Sequence, residues 1–306
     1  MMKVHHLAVA PDVSLQRFGA ISKAIHLRSL LMLYGYSFPS LSNEVLNNVI
    51  LKLRCLRILS SSGCVFLKQL SDSIAELKHL HFLDLSCTLI KKLPNSVRDH
   101  LFCNIVSIKL KNCRYCNSLP PLGQLSSLKA LLVEELSGVV TVSANFYGDI
   151  GGSSVTKPFA SLEFLSFAHM PAWEEWSSIG VEDGEVFTKL QQLHINECNR
   201  LRCVDWPDSL PCLTELEILG GYGSELVLES SLPRMPALRE LKLGVCEKLR
   251  LEELLQKAES IHIRGNKGVE SLIRQLTKAK PLFLRKCIFK IVVLQLHSFL
   301  NACPLP

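Results

Sequence analysis

Cys113 and Cys116 carry the C-x-x-C spacing of a redox dithiol or of half a zinc site. No second cysteine pair follows at metal-site distance. Cys113 also falls in a slot that recurs along the chain, so packing accounts for it without metal or redox chemistry. The histidines are scattered, as His5-His6, His79-x-His81 and His194. General-base work would need a nucleophile or carboxylate held on the same rigid element, and no motif supplies that arrangement. Gly148-Asp149-Ile150-Gly151-Gly152 has the look of a phosphate loop. It lacks a strand-then-helix setting, and no G-x-x-x-x-G-K-[ST] occurs anywhere in the chain. It reads as a flexible loop. These residues predict no catalytic group, no metal site and no bound cofactor.

Two aromatic residues allow a choice. Trp173 and Trp176 sit among acidic neighbours in Pro171-Ala172-Trp173-Glu174-Glu175-Trp176. They are either anchors for a partner or large apolar groups closing a stretch of core.

The elements that must position all these side chains are written in a phrase, L-x-x-L-x-L-x-x-C/N. It is clearest at Leu80-x-x-Leu83-x-Leu85-x-x-Thr88, Ile105-x-x-Ile108-x-Leu110-x-x-Cys113, Leu190-x-x-Leu193-x-Ile195-x-x-Cys198 and Leu238-x-x-Leu241-x-Leu243-x-x-Cys246. Its ninth position falls at Cys64, Thr88, Cys113, Leu136, Met170, Cys198, Gly221, Cys246 and Asn266. The steps between them are 24, 25, 23, 34, 28, 23, 25 and 20 residues. All but the step of 34 match the leucine-rich repeat period of roughly 20–29 residues. The long step contains Gly148 to Ser154 and reads as a loop inserted into one repeat. Weaker copies are Val4-x-x-Leu7-x-Val9 and Leu27-x-x-Leu30-x-Met32, and Ile291-x-x-Leu294-x-Leu296 is a candidate last copy. The total is about eleven or twelve repeats.

Side chains alternate across the short strand in each phrase. Leu83 and Leu85 should point inward while Phe82, Asp84 and Ser86 point outward. Stacked strands make a parallel sheet lining a concave face. The return segment Ile74-x-x-Leu77-x-x-Leu80 reads as a helix on the convex side, with Ser71 or Asp72 as its cap. The expected fold is an α/β leucine-rich repeat solenoid, a curved horseshoe stabilised mainly between neighbouring repeats. Residues 1–52 hold weak repeats, 53–280 the main solenoid, and 281–306 an irregular last repeat or tail.

Composition narrows the function. The net charge is +6, from 34 basic and 28 acidic residues. These are interspersed, with no basic block to track a phosphate backbone, so nucleic acid is not the expected partner. No apolar run reaches the length of a membrane span. Twelve cysteines suggest disulfides. Cys64, Cys113, Cys198 and Cys246, however, occupy the ninth position, where a small buried residue bonds the turn. No Asn-x-Ser/Thr sequon and no N-terminal signal pattern occur. The chain is therefore expected in a reducing, cytoplasmic setting.

The outward columns of the concave sheet are varied and charged. Asp84, Lys109, Leu132, Ser166, His194, Glu217, Lys242 and His262 form one, with Ser86, Lys111, Glu134, Asn196 and Arg264 in the next. Asp84, Lys109, Lys111, Glu134, His194, Asn196, Glu217, Lys242, His262 and Arg264 are the candidate ligand-binding residues. A solvated face without a ligand is the competing reading.

The chain also resembles the leucine-rich repeat region of plant disease-resistance proteins, the intracellular nucleotide-binding receptors of the coiled-coil class. The likeness rests on Leu56-Arg57-Ile58-Leu59, on Leu83-Asp84-Leu85-Ser86 with Leu93-Pro94, and on Asn104 to Cys116. It extends to Leu119-Pro120-Pro121-Leu122-Gly123-Gln124-Leu125 and Met170-Pro171-x-Trp173-Glu174-Glu175-Trp176. The sequence opens almost directly on its first repeat phrase at Val4, so the family's coiled-coil and nucleotide-binding modules are not expected within it. Only three residues separate the Leu93–Val97 and Leu101–Asn104 phrases, where the family has further repeats. The chain thus resembles a truncated, internally deleted member. The resemblance implies a non-catalytic protein-binding module that recognises a pathogen effector or a guarded host protein. It also implies an autoregulatory contact with a nucleotide-binding receptor module, here in trans. Alternatives are the substrate-recognition repeats of a ubiquitin ligase and a non-functional gene fragment.

Overall fold

The computed structural model describes residues 4–10, 15–33, 43–91, 104–148, 157–177, 186–221, 232–244, 260–264 and 288–292. Fifteen short strands and two α-helices are among them. In chain order the strands are β1 (His6–Val9), β2 (Ser29–Met32), β3 (Ile58–Ser60), β4 (Phe82–Asp84), β5 (Ser107–Lys111) and β6 (Ala130–Glu134). They continue with β7 (Thr141–Val142), β8 (Phe164–Ala168), β9 (Glu175–Trp176), β10 (Gln192–Asn196), β11 (Cys203–Val204) and β12 (Glu215–Leu219). The last three are β13 (Glu240–Leu243), β14 (Ser260–Arg264) and β15 (Ile288–Val292). Twelve of them form one sheet in the order β1-β2-β3-β4-β5-β6-β8-β10-β12-β13-β14-β15. Every pairing in it is parallel, and each strand lies beside the next repeat's strand. A ladder in strict chain order is the solenoid expected from the period.

The alternation also holds. In β5, β6, β8, β10 and β12 the second and fourth residues are buried while the first, third and fifth are half-buried. Leu83, Ile108, Leu131, Leu165, Leu193, Leu216 and Leu241 thus form one continuous inner row, with Leu85, Leu110, Val133, Phe167, Ile195, Ile218 and Leu243 beside it. Burying each such side chain stabilises by about 1.5–3 kcal/mol relative to leaving it in water.

A tight turn follows each strand. Gly63, Cys87, Asn112, Glu135, His169 and Glu197 all have positive φ, between 51° and 78°. Each stands just before the ninth position. The left-handed backbone is unfavourable for residues with a Cβ. Here it turns the amide toward the next repeat. Gly63, Cys87, Asn112, Glu135, His169 and Glu197 donate to the carbonyls of Ser86, Lys111, Glu134, Ala168, Asn196 and Leu219, at 2.6–2.9 Å. One bond between repeats is gained at each strained position. The ninth-position side chains complete the turn as expected. Thr88 Oγ1 donates to Leu85 O at 2.8 Å, Cys113 Sγ to Leu85 O at 3.2 Å and Cys198 Sγ to Asn196 O at 3.4 Å. Cys246 lies outside the described residues.

The return segments depart from the α-helical expectation. Among the described residues only α1 (Leu15–Ile21) and α2 (Asn43–Lys52) are α-helices. In α2, Leu46, Val49 and Ile50 face the core. Asp72–Glu76 is a 3-10 helix. Beyond it the turns continue through Leu77 N–H to Ile74 O and Leu80 N–H to Leu77 O. The apolar spacing there is strictly three, which fits the three residues per turn of a 3-10 helix rather than 3.6.

A second sheet was not foreseen. β7, β9 and β11 pair in parallel in the order β11-β9-β7. Their buried residues, Val142, Trp176 and Val204, belong to the same core as the inner row of the main sheet. The candidate last copy is also displaced. β15 pairs with β14 so that Phe289 and Ile291 align with Ile261 and Ile263. The repeat phrase therefore sits five residues earlier than Leu294 and Leu296. A strand fits there because alternate apolar residues begin at Phe289, ahead of the leucines. Gly151 to Ser154 and the junction at 97–101 lie outside the described residues. Among the described helices none is long and apolar enough to cross a membrane.

Candidate functional site

The outward side chains fall into straight rows because every parallel pairing is in register. One row runs Ser60, Asp84, Lys109, Leu132, Ser166, His194, Glu217, Lys242 and His262. It contains Asp84, Lys109, His194, Glu217, Lys242 and His262 of the sequence-derived set. A neighbouring row runs Lys111, Glu134, Ala168 and Asn196, and Arg264 pairs with Val292 at the far end. Lys111 donates to Glu134 Oε1 at 2.6 Å and lies 3.2 Å from Glu135. The Glu134 hydrogen bond holds the Lys111 ammonium above its ordinary range.

Ser86 is a correction. Instead of pointing into solvent it is 3% exposed, and both its amide and its hydroxyl donate to Asp84 Oδ1. Ser60 Oγ donates to Asp84 Oδ2 at 3.1 Å. Asp84 therefore holds the turn of its own repeat as well as facing outward.

The densest polar group lies on β10, β12 and β13. Lys242 Nζ is 2.7 Å from Glu215 Oε1, 3.3 Å from Glu217 Oε2 and 3.3 Å from Glu240 Oε1. His194 Nε2 is 3.4 Å from Glu215 Oε1, and its ring stands edge-on to Phe164. Gln192 Nε2 donates to Glu215 Oε2 at 3.0 Å, and Asn196 Nδ2 donates to Glu217 Oε1 at 2.6 Å. His262 lies 3.9 Å from Glu240. Burial raises the Glu215 carboxyl, but the Lys242 hydrogen bond and charge, helped by His194, outweigh it. The net value is below the ordinary one. The Glu215 hydrogen bond in turn pushes Lys242 well above the usual lysine range.

Glu215, Glu240 and Gln192 were missed in the sequence reading. They occupy the first strand position, two residues before the column that was singled out, and share its alternation. The same position supplies an apolar group at the other end. Ile58 (38% exposed) is in this row, with Leu31 (38%) on β2 and Leu33 (47%) just past its end. The wall is apolar at β2–β3 and ionic at β10–β14.

The two tryptophans are not anchors. Trp173 is fully buried and Trp176 is 3% exposed. Trp176 Nε1 donates to Tyr147 Oη at 2.7 Å, and Trp173 Nε1 to Glu175 O at 2.8 Å. Phe167 packs against both rings, at 4.7 and 5.3 Å between centroids. With Phe146, Phe159 and Phe187 they fill the wide core created by the long repeat step. Aromatics supply that volume with few residues. Cys113 and Cys116 are buried as well. Desolvation pushes Cys113 up to about 11 and raises Cys116, which is the opposite of a reactive dithiol.

Residues 90–136 match the family described as R13L1/DRL21 LRRs. A disease resistance protein of Arabidopsis thaliana is 38% identical over 153 residues, 47% of this chain and 10% of that protein. The disease resistance RPP13-like protein 1 of the same plant is 35% identical over 143 residues, 46% of this chain and 14% of its own length. The chain carries a leucine-rich repeat region of the plant disease-resistance kind. Disease resistance protein RGA2 of Solanum bulbocastanum is similar too, 27% identical over 52% of this chain and 16% of that protein. The repeat region thus matches between a tenth and a sixth of the length of these relatives. Among solved structures, a leucine-rich repeat protein of Leptospira interrogans covers 89% of this chain and 74% of its own, at 16% identity and a TM-score of 0.38. An internalin of Listeria monocytogenes covers 94% and 82%, at 14% identity and a TM-score of 0.38.

Proposed function

We propose that the concave wall of this repeat region is a non-catalytic docking surface for a protein ligand in plant defence. The observation that carries the reading is the pair of in-register outward rows, apolar at Leu31 and Ile58, with Leu33 just past β2, and ionic from His194 to His262. A purely structural face needs only solubility, whereas a protein ligand is met by apolar anchors with a polar surround. The similarity to disease resistance proteins favours two kinds of ligand: a pathogen effector or guarded host protein, and a nucleotide-binding receptor module. A cytoplasmic setting accords with the eight described cysteines, all unpaired thiols.

The test is a binding titration of the purified chain against the nucleotide-binding modules of those relatives and against a panel of pathogen effectors. Lys109→Ala, His194→Ala, Glu217→Ala and Lys242→Ala should each weaken a saturable complex. A complex indifferent to all four, and to Leu31→Ser with Ile58→Ser, removes the concave wall from the reading.

A further inference from the structure

We propose that His194 Nε2, Glu215 Oε1 and Glu217 Oε2 form a binding site for a divalent transition-metal ion of the zinc class on the concave wall. This site goes beyond the protein-docking reading and stands without it. One nitrogen or oxygen from each of the three residues lies within 4.8 Å of those of the other two. Zinc bonds of about 2.0–2.2 Å to imidazole and carboxylate place tetrahedral ligands roughly 3.4 Å apart. The set therefore needs a closure of about an ångström, within reach of two glutamate side chains.

Three observations separate this group from an ordinary surface cluster of acids. The first is outer support. Gln192 holds the far oxygen of Glu215 and Asn196 the far oxygen of Glu217, which leaves Oε1 of one and Oε2 of the other aimed at a shared point. Amides that fix the second carboxylate oxygen are the usual way a metal ligand is oriented. The second is the state of the imidazole. His194 Nε2 is shielded from solvent, and its polar neighbour is the Glu215 carboxylate, 3.4 Å away. Its contact with Glu215 at 3.4 Å is an ion pair only when the ring is protonated. When Nε2 carries no proton its lone pair faces that carboxylate, a repulsion that a metal ion between them relieves. The third is that the shared point already attracts a cation. Lys242 Nζ sits there, 2.7 Å from Glu215 Oε1 and 3.3 Å from Glu217 Oε2.

Lys242 is then the built-in competitor of the metal. Its long side chain can swing toward solvent and leave its place to the ion. A divalent charge matches the two carboxylates better than one ammonium does, and imidazole coordinates zinc but not ammonium. His194 and the two glutamates stand on neighbouring strands in register, so the ligands are held by the ladder and not by a loop. Water completes the coordination from the open side of the wall.

The experiment titrates the purified full chain with Co(II) as a spectroscopic stand-in and with Zn(II) in competition against a chelator, near neutral pH. Visible d–d bands should appear with one ion bound and without the near-ultraviolet band of cobalt–thiolate ligation. His194→Gln and Glu215→Gln should each weaken that site by about tenfold or more. Lys242→Met should tighten it, because the competitor is gone. Asp84→Asn, elsewhere on the wall, should leave it unchanged. Melting curves of each variant without metal show that the fold persists, and Glu217→Gln is a second near-isosteric probe should either of the first two unfold. A thiolate band that survives all these substitutions overturns the proposal, as does binding indifferent to His194→Gln and Glu217→Gln. Loss of binding in Lys242→Met overturns the competitor role and with it the site. None of these readouts involves a protein ligand, so failure here is separate from failure of the docking surface.

Discussion

Lys242 reaches diagonally across the sheet to Glu215, 2.7 Å away, although its register partner on β12 is Glu217. One ammonium thereby serves carboxylates at Glu215, Glu217 and Glu240. Lys242→Ala strands three negative charges on adjacent strands. The expected loss is about 1.5–3 kcal/mol, the range for hydrogen bonds to a charged group. Added salt should recover part of it by screening the exposed repulsion. Urea unfolding at low and high ionic strength measures both. A salt-independent loss of the same size would point to packing of the lysine stem instead.

Leu83 and Phe82 are neighbours on β4 with opposite fates. Leu83 is 2% exposed, while Phe82 is only half-buried. Leu83→Asp puts an uncompensated charge in the spine and should cost at least about 3 kcal/mol. Phe82→Ser should cost much less. Thermal melts of the two variants side by side would expose a misassigned face if their order were reversed.

Cys87 adopts φ 56°, a conformation that a β-branched side chain tolerates poorly. Cys87→Val should destabilise by about 1–2 kcal/mol. Cys87→Gly should be close to neutral, because relief of strain offsets the greater freedom of the unfolded chain. The inter-repeat bond from its amide to Lys111 O is present in both. Denaturation midpoints decide the comparison.

Buried thiols set an alkaline limit. Burial pushes Cys64 and Cys198 up to about 12 and Cys113 to about 11, against an ordinary value of 9.0. A folded value above the unfolded one means that the protonated thiol stabilises the fold fully below pH 9. That contribution is lost as pH rises from 9.0 through about 11 to 12. Stability measured against pH should fall across that window, and less steeply in Cys64→Ala after allowance for its cavity. At pH 8, site-resolved alkylation should mark the exposed Cys203 and Cys212 before Cys64, Cys113, Cys116 or Cys198. Equal labelling of all six would mean that the turn slots are open.

The spine was readable from Leu83, Leu85 and their copies because a period-two strand inside a repeat near 24 residues leaves one way to stack. The outward row followed from the same alternation. What escaped notice did so for physical reasons. Glu215 and Gln192 have the same outward parity as Glu217. Their importance comes from side chains meeting across strands, which a single strand does not reveal. Trp173 and Trp176 carry no marker of face, and their burial depends on the volume opened by the long step between Leu136 and Met170. The strict spacing of three at Ile74, Leu77 and Leu80 was a usable sign of 3-10 turns. The strands β7, β9 and β11 are two residues each, too short for a periodic signal. The shifted last strand shows how aliphatic residues on both sides of a boundary blur its position.

The rungs of the ladder are held by backbone amides and carbonyls, including those of the six left-handed turn residues from Gly63 to Glu197. Outward side chains such as Lys109 can therefore be exchanged singly without touching the scaffold, so the wall is free to diversify there. The mesh around Lys242 obeys another rule. Replacing any one member leaves its neighbours' charges without counterweight, so that stretch is expected to change in concert or to persist while the rest of the surface drifts.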